Sequence, residues 1–238
     1  MTARLAAVAA AHARILARRR TALLLLALLP LAFYGALYRH SPHAVTVGGV
    51  ASAFSAGGAA IFSMIPARAA DQRLTLAGYR PATLIAGRLI VLEVAGLVIS
   101  LLTAAVMTAG TRPAHPADVF AGVILTGLAA VPLGLALGAV LPRELEAVLI
   151  LIGIVGIQIT AQPDTLISAL LPFHSARQLL DAAVGAPATF WPQLAATAVY
   201  STALLGITWI AWSRRTAVRR SPVPVMFPPA DDPAQMPG

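Results

Sequence analysis

Six long apolar stretches run through this chain, and no other feature limits its possible folds so tightly. They cover residues 21–38, 44–66, 82–109, 117–141, 144–162 and 190–212. Each holds about 18 residues or more, and at about 1.5 Å of rise per residue that is enough helix to cross a hydrocarbon core ~30 Å thick. The arginines set an orientation. Arg4, Arg14, Arg18, Arg19 and Arg20 precede the first stretch, and Arg68, Arg73, Arg80 and Arg88 lie between the second and third or just inside the third. Arg143 follows the fourth, and Arg214, Arg215, Arg219 and Arg220 follow the sixth. The alternate connections carry only Arg39, Arg112 and Arg177. Positive residues are retained on the cytoplasmic side, so a split of fourteen against three places both termini in the cytoplasm. The expectation is an all-α, multi-pass protein of the cell membrane with six transmembrane helices over residues 21–213.

Composition agrees. The chain is 58% apolar, against about 45–50% for a soluble domain, and its mean hydropathy is +0.81. The net charge of +8 does not imply nucleic acid, because the basic residues sit at span ends, where they meet headgroups, and form no continuous basic face. With no cysteine, disulfide and thiolate chemistry are excluded. All 17 basic residues are arginine, and a phosphate-binding P-loop needs a lysine to reach the β- and γ-phosphates. The chain therefore cannot hydrolyse ATP by that route. The first stretch is longer than a usual signal-peptide core and no small-residue cleavage site follows it in residues 38–42, so it reads as a retained span, kinked at Pro30.

Between and around the spans, four segments carry information. Residues 1–20 place Leu5, Val8, Ala9, His12, Ile15 and Leu16 on one helical face and Arg4, Arg14 and Arg18 on the other, the pattern of a helix lying in the membrane interface. Small residues recur every four positions in the second span (Gly48, Ser52, Ala56, Ala60) and the fourth (Gly122, Thr126, Ala130, Gly134, Gly138). Such rows let backbones approach closely, either within one bundle or across a dimer seam. Residues 163–187 suggest an external helical hairpin: Asp164 caps a short helix that Pro172 stops, and Ser175 with Gln178 forms a capping box for a second helix, which also carries Arg177 and runs to Val184 before Gly185. Residues 214–238 read as a disordered cytoplasmic tail, with six prolines after residue 220.

Few residues could carry chemistry. Glu93 is the only carboxylate well inside a span; such a charge must face protein or water, either as a substrate or proton contact or in a structural pairing with Arg88 or another cytoplasmic-side arginine. Asp118, Glu144 and Glu146 fall at span ends. The five histidines include no i,i+4 pair and no His-Glu-x-x-His, and there is no Gly-x-Ser-x-Gly, so neither a metal site nor a serine hydrolase is proposed by pattern. The loop 67–81 says more. Asp71 to Leu76 can form a short amphipathic helix anchored by Leu74 and Leu76, Gly78 permits a turn, and Pro81 suits the first turn of the next helix. A short element of this kind between two spans suits the docking of a soluble partner.

In this loop the chain resembles the membrane subunit of type-2 ATP-binding-cassette export permeases. In that family an acidic residue, a leucine pair and a Gly-x-x-Pro-like turn before the third span form the element that contacts the ATPase. Asp71, Arg73, Leu74, Leu76, Gly78, Tyr79, Arg80 and Pro81 match it, although the family's acid is commonly glutamate. Residues 141–149 (LPRELEAVL, with Arg143, Glu144 and Glu146) and 170–181 (LLPFHSARQLLD, with Pro172, Ser175, Arg177 and Gln178) are similar to two further family stretches. The resemblance implies pairing with a second membrane subunit, identical or not, and docking of separate ATPase subunits that bind the ATP. It implies no cofactor or catalytic residue in this chain, and export of a small or lipidic substrate by alternating access. The alternatives are a proton-coupled secondary transporter using Glu93, and a membrane enzyme or scaffold.

Overall fold

The computed structural model describes residues 2–216, apart from 19, 42, 163–164 and 186–187. The expected tail beyond residue 216 and the cap at Asp164 lie outside the described residues. Among the described residues ten helices follow in chain order: α1 (Thr2–Arg18), α2 (Arg20–Leu37), α3 (Ala44–Met64), α4 (Arg68–Leu76), α5 (Pro81–Thr111), α6 (Pro116–Val140), α7 (Glu144–Thr160), α8 (Leu166–Leu170), α9 (His174–Ala182) and α10 (Phe190–Thr216). No strand occurs among the described residues. Four helices, α3, α5, α6 and α10, are long and apolar enough to cross a membrane. An all-helical chain suits that solvent, because helices satisfy their own backbone N–H and C=O groups where no water can.

The central helices are the ones made of small residues. Most of α3 and α6 is buried, and the two cross closely. A Cβ on Gly134 would run into the carbonyl oxygen of Gly57, and one on Gly138 would meet Met64 Cβ at 2.7 Å. Other rows of the same kind face different partners: Gly48 lies against Tyr34 of α2 and Met107 of α5, and Gly122 against Leu180 of α9. The recurring small residues are thus taken up by packing inside one chain, where van der Waals contact must replace the absent hydrophobic drive. The outer helices turn large apolar side chains outward. Val94, Val98 and Leu102 of α5 are 58%, 51% and 63% exposed, and Val199 of α10 is 72% exposed. Faces of this kind belong against hydrocarbon.

Each end of the bundle is closed by arginines on helix carbonyls. At one end, Arg68 of α4 donates to the carbonyls of Gly138 (2.8 Å), Pro142 (3.0 Å) and Leu141, and Arg215 of α10 donates to that of Val140. These cations satisfy the orphan acceptors at the C-terminus of α6 and complement its dipole. At the other end, Arg177 of α9 donates to the carbonyls of Ala161 (2.7 Å) and Gln158 at the end of α7. It also lies 3.5 Å from Asp181, whose other oxygen accepts from Thr46 of α3 at 2.6 Å. That set of contacts ties α9 across the mouths of α3 and α7.

The α8–α9 pair departs from its expected capping. Thr165 caps α8, its hydroxyl accepting from the Ser168 N–H at 3.3 Å. Leu171 is extended, as a residue before proline must be, so Pro172 does end the helix. The capping box is not formed. α9 begins at His174 with no side-chain cap, so Ser175 already lies inside the helix and is buried, while Gln178 turns to His174, 2.9 Å away. α9 ends at Ala182 rather than Val184, and the chain continues in tighter turns, Val184 N–H donating to Asp181 at 3.4 Å and Gly185 N–H to Ala182 at 3.1 Å, while His115 N–H donates to Ala183 at 3.1 Å.

Candidate functional site

Proline at the first position of α5 and the extended Arg80 before it start that helix cleanly. Seven residues on, two turns into the helix, stands Arg88, fully buried. Its Nη2 donates to both oxygens of Asp71, at 3.0 and 3.4 Å, and its Nη1 to the sulfur of Met64 at 2.8 Å. The guanidinium carbon lies 5.8 Å from the ring centroid of Trp212, itself fully buried. One arginine thereby joins α3, α4, α5 and α10 through an ion pair, a thioether and a cation–π contact. Burial pushes the Asp71 carboxyl up from the ordinary carboxylate range, while the charge and hydrogen bonds of Arg88 pull against that rise. Arginine has no neutral form to retreat to, so Asp71 is the anion that makes a buried cation tolerable here.

Of the partners considered for Glu93, Arg88 is excluded, because Asp71 takes that place. Glu93 is half-buried on α5 and belongs to no ion pair among the described residues. Asp71 is also the first acidic residue of the chain. A buried arginine near the start of a span needs an anion, and that need was the only signal in the sequence for this pair. Nothing pointed to Trp212 or Met64, which are distant in sequence and look like ordinary span residues.

The rest of the 67–81 segment faces outward. α4 starts three residues earlier than its expected apolar core and carries Asp71 on its inner side. On its outer side Leu76 is 69% exposed, and Arg73 and Arg80 are exposed with it; Leu74, 37% exposed, borders the cavity below the helix. Gly78 takes φ of +88° with open space around it, a conformation L-residues avoid. Tyr79 turns back toward α1, where the Arg4 guanidinium lies 5.9 Å from its ring. The α6–α7 turn lies beside α4, as the Arg68 contacts require. Its Arg143 and Glu146 pair at 3.1 Å in the open, which adds little stability, and Glu144 sits in the first turn of α7. Pro172, Ser175, Arg177 and Gln178 lie at the opposite end and do not join this site.

Beneath α4 is a partly open cavity of about 580 Å³ lined by α1, α2, α3 and α4. Val8, Ile15, Leu26, Phe62 and Leu74 give it apolar walls, with His12 and Asp71 among its few polar members. Burial, and to a lesser extent Arg88, pulls the His12 pKa down to about 4, so the imidazole is neutral at physiological pH. No group of three metal-ligating side chains occurs among the described residues. Comparison with known protein families and with curated protein sequences finds no match for this chain.

Proposed function

We propose that this chain is the permease subunit of an exporter driven by a separate ATPase, which docks on α4. The observation that carries the reading is the two-sidedness of that short helix. Outside, it offers Leu76 and Arg73; inside, Asp71 fastens it to Arg88 of α5. A push on α4 would reach three long helices at once, since Arg88 also contacts Met64 of α3 and Trp212 of α10. This is the connection a coupling element needs.

In this reading α2 and α7, of 18 and 17 residues, complete six spans with the four longer helices. The α4 end is cytoplasmic, with both termini, and α8 and α9 face outside. The protein sits in the cell membrane and pairs with a second membrane subunit, identical or different. It supplies a path for a small or lipidic substrate while its partner binds and hydrolyses ATP. Leu76→Arg tests the assignment, because Leu76 is exposed and its replacement leaves the fold intact. Loss of ATPase co-purification and of transport is expected, with an unchanged size-exclusion profile. Full retention of both would refute it.

Glu93, half-buried and without an ion pair among the described residues, supports a second reading as the proton site of a secondary transporter. Transport driven by a proton gradient in vesicles holding only this polypeptide, and abolished by Glu93→Gln, would favour that reading over the first.

A further inference from the structure

We propose that the cavity between α1 and α4 holds an acyl chain of an anionic phospholipid from the leaflet on the α4 side. α1 does not spend its whole apolar face on protein. Val8 meets Gly87 of α5, where a Cβ would stand 2.6 Å from Val8 Cγ1. Toward the other helices Val8, Ile15 and their neighbours line the cavity, and Ile15 stays 55% exposed. Leu26, Phe62 and Leu74 complete walls suited to hydrocarbon, and the volume falls within the roughly 300–1,000 Å³ of small-molecule sites. A helix of this pattern lies at headgroup depth, so the cavity it lines is at a depth that lipid chains reach.

Charge selects the headgroup. No acidic residue occurs before Asp71, and Asp71 is neutralised by Arg88. Around the cavity, Arg4 sits over the lining residue Tyr79, Arg14 and Arg18 are exposed on α1, and Arg73 precedes Leu74 on α4. The surroundings are thus cationic and the interior apolar, the complement of an anionic amphiphile. Each arginine near an anionic headgroup favours it by roughly fivefold. The bilayer is the committed source, because the site opens between an interfacial helix and spans. A bound chain would brace α1 against α4, but the site requires only that the protein sit in a membrane, not that α4 dock an ATPase.

The test uses the full chain, without any ATPase, in vesicles of phosphatidylcholine doped with photoactivatable phosphatidylglycerol or photoactivatable phosphatidylcholine, with mapping of the labelled peptides. Labelling of α1 and α4 is expected to be several-fold stronger from phosphatidylglycerol, and to fall by about fivefold or more in Ala70→Trp, whose exposed lining position lets the indole fill the cavity. Labelling of α5 and α10, which face bulk lipid, should not change. Arg4→Gln, a milder surface change, should reduce the headgroup preference and leave chain labelling by phosphatidylcholine unaltered. Equal labelling by both lipids, or labelling indifferent to Ala70→Trp, overturns the proposal. So does labelling by a water-soluble fatty-acid probe with none from the phospholipid.

Discussion

Replacing Asp71 by leucine strands the Arg88 guanidinium among Met64, Trp212 and the walls of α5, and the cost follows from how completely it is buried. The Arg88 and Asp71 side chains are 0% and 2% exposed. Removing one partner of such a pair costs about 3–5 kcal/mol, whereas replacing both by apolar groups of similar volume is often neutral. The two single changes should not be equal. Arginine cannot lose its proton, so Asp71→Leu leaves a permanent charge and should reach the full ~3–5 kcal/mol. Arg88→Met leaves a carboxyl that borders the cavity and can take up a proton, so its cost should be smaller, about 1–3 kcal/mol. Acid should shrink that cost further. With its partner gone, burial alone acts on the Asp71 pKa and holds it above the unfolded value. The variant is therefore least stable above the folded pKa and regains stability as pH falls through it. The double variant should return to within about 1 kcal/mol of the parent, giving a coupling energy of ~3 kcal/mol or more. Equilibrium unfolding in mixed micelles, followed by tryptophan fluorescence, measures all four corners of the cycle. Additive single changes, or a double variant as unstable as the sum of its parts, would refute the claim that this pair acts as a unit.

Gly134→Val should separate α3 from α6, since a Cβ there collides with the backbone oxygen of Gly57 and backbone cannot yield as a side chain does. A loss of about 1–3 kcal/mol is expected, read as reduced yield of folded protein, and an unaltered melting temperature would contradict the packing described. His12 supplies a pH test with a definite sign. Its pKa, lowered by burial from 6.5 to about 4, makes the docked α1 prefer the neutral ring. The contribution is full above pH 6.5 and declines as pH falls toward 4. Hydrogen exchange of the α1 amides, corrected for intrinsic rates, should accelerate across that range in the parent and not in His12→Gln.

Hydropathy made the long helices legible, because it reports on a solvent that acts locally and on every residue. The turn at Gly78 and the start at Pro81 were legible for a similar reason: glycine and proline restrict or free the backbone where they stand. Capping of α9 was read less well. The Ser175–Gln178 pattern is a local preference worth about 1 kcal/mol, and contacts from α3, α6 and α7 to α9 outweigh it.

An all-helical chain, apolar runs of span length and a short polar helix with a turn between two of them follow from the residues alone. That Asp71 points inward to Arg88, that Trp212 and Met64 share that arginine, and that Glu93 stands apart from it emerge from the packing. The division has a simple cause. Burial preference and backbone freedom are properties of each residue and its near neighbours. The partner of a buried charge depends instead on which helix faces are brought together, and residues 17 and 124 positions from Arg88, Asp71 and Trp212, became its neighbours only through that packing.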